Sequence, residues 1–103
     1  MQVIIKSFGV SGIYVKAAGR LDLDSAVEYG TSIKDAIEDS QENVSELILD
    51  FSEITFISSF GLKVILELYK TMKEQGSMKL VNVPEKLLDS FKMVGFDKFL
   101  EIE

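Results

Sequence analysis

The stretch DFSEITFISSFGLKVILELYK, Asp50 to Lys70, holds the change of period that decides the fold. Just upstream, ELILDF (Glu46–Phe51) has the length and flanks of a buried strand. From Ser59 onward, Leu62, Ile65, Leu66, Tyr69 and Met72 recur at three- and four-residue spacing, which predicts a helix with one apolar face running to about Gln75, with Gly76 as its C-cap. The residues between, SEITFISSFG, read as a loop that brings Ser58 and Ser59 to the head of that helix. Strand, loop and helix in this order are the unit of an α/β fold.

Working outward, the same alternation continues in both directions. VIIKS and GIYVKAAG are β-branched runs separated by FGVSG, whose glycines suit a tight reversal, and they predict an antiparallel pair. From Asp24 to about Ser40, Ala26, Tyr29, Ile33, Ala36 and Ile37 fall at helical spacing, and SAVE matches a capping box with Ser25 at the N-cap and Glu28 three residues on. Beyond Gly76, MKLVNV is a further strand. Pro84 suits the first position of a helix whose stripe is Leu87, Leu88, Phe91 and Val94 and which Gly95 stops, and KFLEI closes as an edge strand. The order β-β-α-β-α-β-α-β predicts an α/β sandwich: a mostly parallel sheet of about five strands with one antiparallel N-terminal strand, joined by right-handed crossovers and packed by helices. Met72, Met78 and Met93 read as gap-fillers of its core. Lys63–Glu67 and Lys70–Glu74 are spaced as surface pairs on one helix.

Composition narrows the function classes. A chain of 103 residues, 47% hydrophobic and 27% charged, is the size of one domain, so residues 1–103 are expected to form a single unit. It contains neither Cys nor His, which removes disulfides, thiolate metal sites and the commonest general base. Its net charge of −6, with 11 scattered Lys and Arg, argues against nucleic acid. No apolar run approaches the roughly 18 residues that span a bilayer, and MQVIIKSFGV lacks a signal-peptide pattern, so a cytoplasmic protein without a membrane partner is expected. The phosphate-cradling patterns GxxxxGK[ST] and GxGxxG are absent, and no cofactor is expected. Asp22, Asp24 and Asp50 could gather round a magnesium ion, but scattered acids ordinarily face water, and no metal site is expected.

In parallel sheets the loops at the carboxyl ends of strands form the functional rim. Two such loops stand out, GRLDLDS with Asp22 and Asp24, and SEITFISSFG with Ser58 and Ser59; adjacent strands would set them side by side. Three jobs are open to the serines: helix cap, nucleophile or target of modification. A nucleophilic serine needs a base and an oxyanion hole, and with no His and no GxSxG elbow a hydrolase using Ser59 ranks lowest, so no catalytic residue is assigned. Capping by Ser59 alone and modification by another enzyme both fit the spacing, because a helix N-terminus favours a hydroxyl oxygen and a phosphate alike.

The segment LILDFSEITFISSFGLKVIL, together with GRLD at Gly19–Asp22, resembles the signature of the anti-sigma factor antagonist family, small single-domain STAS proteins, and the element order is that of their whole fold. In that family the phosphorylated serine usually lies two residues before a glycine, which here is Ser59 before Gly61. The resemblance implies a STAS fold and a phosphorylation-controlled binding switch. The unphosphorylated form would bind an anti-sigma factor, a serine kinase, and so free a sigma factor; a metal-dependent serine phosphatase would reset it. Asp22, Asp24, Ser58, Ser59, Phe60 and Gly61 would form the docking face, with Ser58 the less favoured acceptor. Two positions depart from the pattern: Ser58 stands where an acid is common, and the bulky Phe60 stands where Ser or Ala is usual, able to pack inward, shield Ser59 or anchor a partner. The alternative is a STAS scaffold that is never phosphorylated, or a subunit of a sensory or transport assembly.

Overall fold

The computed structural model describes all of residues 1–103. Its elements are β1 (Val3–Phe8), β2 (Gly12–Leu21), α1 (Leu23–Asp39), β3 (Glu46–Ile57), α2 (Ser59–Lys73), β4 (Ser77–Val81), α3 (Glu85–Met93), a 3₁₀ turn (Phe96–Lys98) and β5 (Glu101–Ile102). The five strands form one sheet in sequential order, with β1 antiparallel to β2 and the rest parallel, as the alternation of periods predicts. Sequential order with right-handed crossovers lays all three helices on one face. Burial agrees: Ile13, Val15 and Ala17 of β2, Leu47, Leu49 and Phe51 of β3, and Met78 and Leu80 of β4 are buried on that face. Phe51 stands at the centre of this core, edge-on to Tyr29 at 6.5 Å and to Phe91 at 5.9 Å. No helix is long and apolar enough to cross a membrane.

Several local expectations are corrected. α1 begins earlier than its apolar stripe suggests: Asp22, not Ser25, is the N-cap, and Ser25 fills the third position of the capping box. The start of a helix is set by where the preceding strand must stop, and β2 stops at Leu21. The segment SEITFI is strand rather than loop, since β3 stays paired with β2 as far as Leu21↔Ile57. The buried residues of α2 are Gly61, Val64, Ile65, Leu68 and Met72, while Leu62, Leu66 and Tyr69 lie only partly buried at the margin. Gly76 takes no left-handed cap conformation. It is glycine because a Cβ there would stand 2.1 Å from the Ser45 carbonyl oxygen, where the chain passes under the start of β3. Pro84 is the N-cap of α3 rather than its first residue, and Gly95, at φ 81°, ends it as expected. Met72 and Met78 fill the core, but Met93 is 86% exposed, and Val94 also faces solvent. Glu67 pairs with Lys34 of α1 at 3.4 Å, across the helices, instead of with Lys63 on its own. The closing strand shrinks to two residues, because Phe96 and Leu100 must turn inward to finish the core and the 3₁₀ turn does this.

Candidate functional site

The rim at the carboxyl ends of β2 and β3 is assembled by one backbone bond. Leu21 and Ile57 are register partners, and the next residue, Ser58, donates its N–H to the Leu21 carbonyl at 2.9 Å. Each strand then turns directly into a helix, so the N-termini of α1 and α2 start side by side, one after Asp22 and the other after Ser58. The structure thus brings the acidic segment and the two serines together. Asp50 does not join them: it is opposite Lys16, six residues before Asp22 on β2, or about 20 Å away at ~3.3 Å per residue. The three carboxylates therefore do not gather round a cation.

At the head of α1, Asp22 N–H donates to Ser25 Oγ at 3.0 Å, and Asp22 Oδ1 lies 2.9 Å from that hydroxyl. The Ser25 side chain, then its backbone N–H, hold the exposed Asp22 carboxyl below its ordinary range. Asp24, in the first turn of α1, is exposed and faces water. At the head of α2, Ser58 is the N-cap, with Oγ accepting from Gly61 N–H at 3.1 Å. This corrects the reading of Ser59 as a cap. Ser59 is the first helical residue, exposed, and its hydroxyl takes no part in capping. Phe60 lies half-buried against the core and leaves Ser59 open to solvent. Gly61 is buried where α2 crosses the end of β2: a Cβ would come within 2.7 Å of Ile57 Cγ1 and 2.9 Å of the Leu21 carbonyl oxygen. Only glycine lets the helix start this close to the rim.

Four further rim residues were not singled out from the sequence. Arg20 lies over the Phe56 ring, 4.0 Å from its centroid, and places a cation beside Asp22. Arg20 and Phe56 are register partners across β2 and β3, a relation no local pattern discloses. Leu23 and Val27, one turn apart on α1, are 60% and 50% exposed. Their signal was present, since neither falls on the Ala26, Tyr29, Ile33 stripe. The larger cleft of the molecule, about 200 Å³, opens at the opposite end, between the β1–β2 turn and the end of α1, and includes none of these residues.

Comparison with known proteins adds three findings. The STAS domain family model matches residues 6–103. The anti-sigma-B factor antagonist of Bacillus subtilis is 29% identical over 91 residues, which cover 87% of this chain and 80% of that protein. Among solved structures, the anti-sigma factor antagonist SpoIIAA in its unphosphorylated form superimposes with a TM-score of 0.82 at 18% identity, covering 99% of this chain and 88% of that one. The phosphorylated Bacillus SpoIIAA gives 0.75 at 18%, with 99% and 91% covered. At these identities the structural likeness is one of fold.

Proposed function

The chain belongs to the STAS-domain family, and from that premise we propose that it is a phosphorylation-controlled binding switch of the anti-sigma factor antagonist kind. Unphosphorylated, it binds an anti-sigma factor that is itself a serine kinase, and a sigma factor is freed for transcription. The kinase moves the γ-phosphoryl group of ATP to Ser59 Oγ, ADP leaves, and the complex parts. A metal-dependent serine phosphatase returns the hydroxyl. The observation that carries this reading is the division of labour at the head of α2: Ser58 caps the helix, so the exposed Ser59 hydroxyl is free for modification. The name of the Bacillus subtilis relative and the two phosphorylation states in which SpoIIAA has been solved support the same reading.

The physics of the switch follows from position. A phosphate at a helix N-terminus is favoured by the macrodipole by roughly 0.3–2 kcal/mol, so modification does not unfold the chain. For a docked partner the same group adds about −1.5 to −2 charges to a rim that already carries Asp22 and Asp24. Like-charge contact across an interface costs several kcal/mol, and each ~1.4 kcal/mol is tenfold in affinity. Leu23, Val27 and Phe60 supply apolar contact around the charged rim, with Arg20 as a cation beside Asp22.

The test is binding of the cognate kinase by wild type, Ser59→Ala and Ser59→Asp, measured by calorimetry, with mass spectrometry after incubation with kinase and ATP. Wild type and Ser59→Ala are expected to bind alike, Ser59→Asp to bind at least tenfold more weakly, and phosphate to appear on Ser59. Equal binding by Ser59→Asp sinks the switch, and lasting absence of phosphate from both Ser58 and Ser59 favours an unmodified scaffold.

A further inference from the structure

The helices cover one face of the sheet and leave the other open, although four of the five strands run parallel and parallel sheets are ordinarily buried on both faces. Strand register puts Lys6, Tyr14, Ile48, Lys79 and Glu101 in a single row across that open face, from β1 to β5. The middle of the row, Tyr14 and Ile48, is only half-buried, and in the next row Ile4 is 46% exposed. Lys79 is engaged by Glu103 at 3.5 Å, and Lys16 by Glu53 at 3.7 Å. Lys6 is exposed and takes part in no ion pair. With Lys16 it brackets a cleft of about 120 Å³ against Ile4 and Tyr14. At the other end Glu101 is exposed and takes part in no ion pair, and the neighbouring Glu103 carboxylate pushes its carboxyl above the ordinary range, so this edge holds more acid than nearby cations balance. The free charges of the row are therefore a cation at one end and an anion at the other.

We propose that the open face is an interface between two copies of this chain, related by a two-fold axis that runs along β3. Such an axis exchanges β1 with β5 and leaves the row in place but reversed. Lys6 of each copy then meets Glu101 of the other, twice by symmetry, Tyr14 meets Lys79, and Ile48 packs on its counterpart. Asp50, one row along, has its oxygens satisfied within its own copy by Tyr14, Ser52 and Asn82. At ~4.8 Å between strands and ~3.3 Å per residue the face measures roughly 19 by 20 Å, the scale of a weak, reversible interface. Rim-type ion pairs at its edges make the association salt-sensitive.

Sedimentation equilibrium from about 10 µM to about 1 mM tests this directly, over a range where weak self-association becomes visible. Wild type is expected to show a monomer–dimer equilibrium that weakens with salt. Lys6→Glu and Glu101→Lys alone should each weaken it roughly tenfold, as two contacts turn repulsive. The two variants mixed should form heterodimers as tight as wild type, because both contacts become attractive again. Both residues are exposed, and circular dichroism will verify folding. Ser59→Asp, on the rim away from this row, should dimerise like wild type, which separates this result from the binding switch. A strictly monomeric wild type at the highest concentration, or a mixture no tighter than either variant alone, overturns the proposal.

Discussion

At Ser58 the backbone is extended, with φ −85° and ψ 171°, whereas Ser59 already has helical geometry. That one step separates a hydroxyl the fold uses from one it leaves free. Ser58→Ala removes the acceptor for Gly61 N–H and is expected to cost about 1 kcal/mol of stability. Ser59→Ala, at an exposed position without a bond, should stay within about 0.5 kcal/mol of wild type. Urea unfolding of the two variants compares them, and the assignment of the cap fails if their order is reversed. The same economy of position applies at Asp22, which caps α1 and still carries charge, because the bonds from Ser25 favour its ionised form. The rim therefore stays acidic well below neutral pH, and a phosphate placed on Ser59, as proposed, would arrive beside a negative charge already in place.

Between elements, one polar cluster ties three strands on the open face. Tyr14 Oη of β2 donates to Asp50 Oδ2 of β3 at 2.5 Å, and Asn82, just past β4, donates to the same oxygen at 3.3 Å, while Ser52 N–H reaches Oδ1 at 2.8 Å. Burial pushes the Asp50 carboxyl up, but these bonds outweigh it and hold it below its ordinary value of 3.8. A carboxyl depressed in the folded state stabilises above its unfolded pKa and gives up that stability as pH falls through the folded one. Tyr14→Phe leaves the buried carboxylate one donor short, and is expected to cost about 1–3 kcal/mol near pH 7. The Asp50 pKa then rises, so the loss of stability as pH falls from about 5 through the folded pKa becomes shallower than in wild type. Urea midpoints across that range measure both effects; parallel pH profiles would mean that Tyr14 does not hold the carboxylate. The scale of elements is also where the sequence was most and least legible. Every strand and helix was visible, because a switch between two-residue and 3.6-residue spacing survives in any single segment. The junctions were not. Ser52, Glu53 and Thr55 resemble loop residues, yet pairing with β2 keeps β3 extended to Ile57, and that pairing is a long-range fact. Both Asp22 and Ser25 are competent caps, and the choice fell to the end of β2. The candidate site was legible as a cluster of residue types, because Asp22, Ser58 and Ser59 do converge. Arg20 on Phe56 was not, since the two meet only through register across strands.

For the molecule as a whole, the question is whether adding charge at Ser59 reshapes the fold or only its surface. The core is anchored elsewhere: Leu47, Leu49 and Phe51 are fully buried between α1, α2 and α3, and no polar bond of Ser59 links it to them. Interiors packed this closely do not deform gradually, so a change confined to an exposed first-turn residue lacks a lever on the sheet. The helix dipole welcomes the added anion, and Ser58 keeps the cap in place. Ser59→Asp is therefore expected to change the unfolding free energy by no more than about 0.5 kcal/mol. Amide exchange should be slowest in the centre of β2 and β3, with β5, held over only two residues, opening first, and this order should be the same in both forms. The same substitution is expected to abolish most of the affinity for the proposed kinase partner. A form that lost affinity together with protection across β2 and β3 would mean that the switch works by loosening the fold. Lost affinity with an unchanged exchange map would assign it to repulsion at the rim, which is the outcome the position of Ser59 predicts.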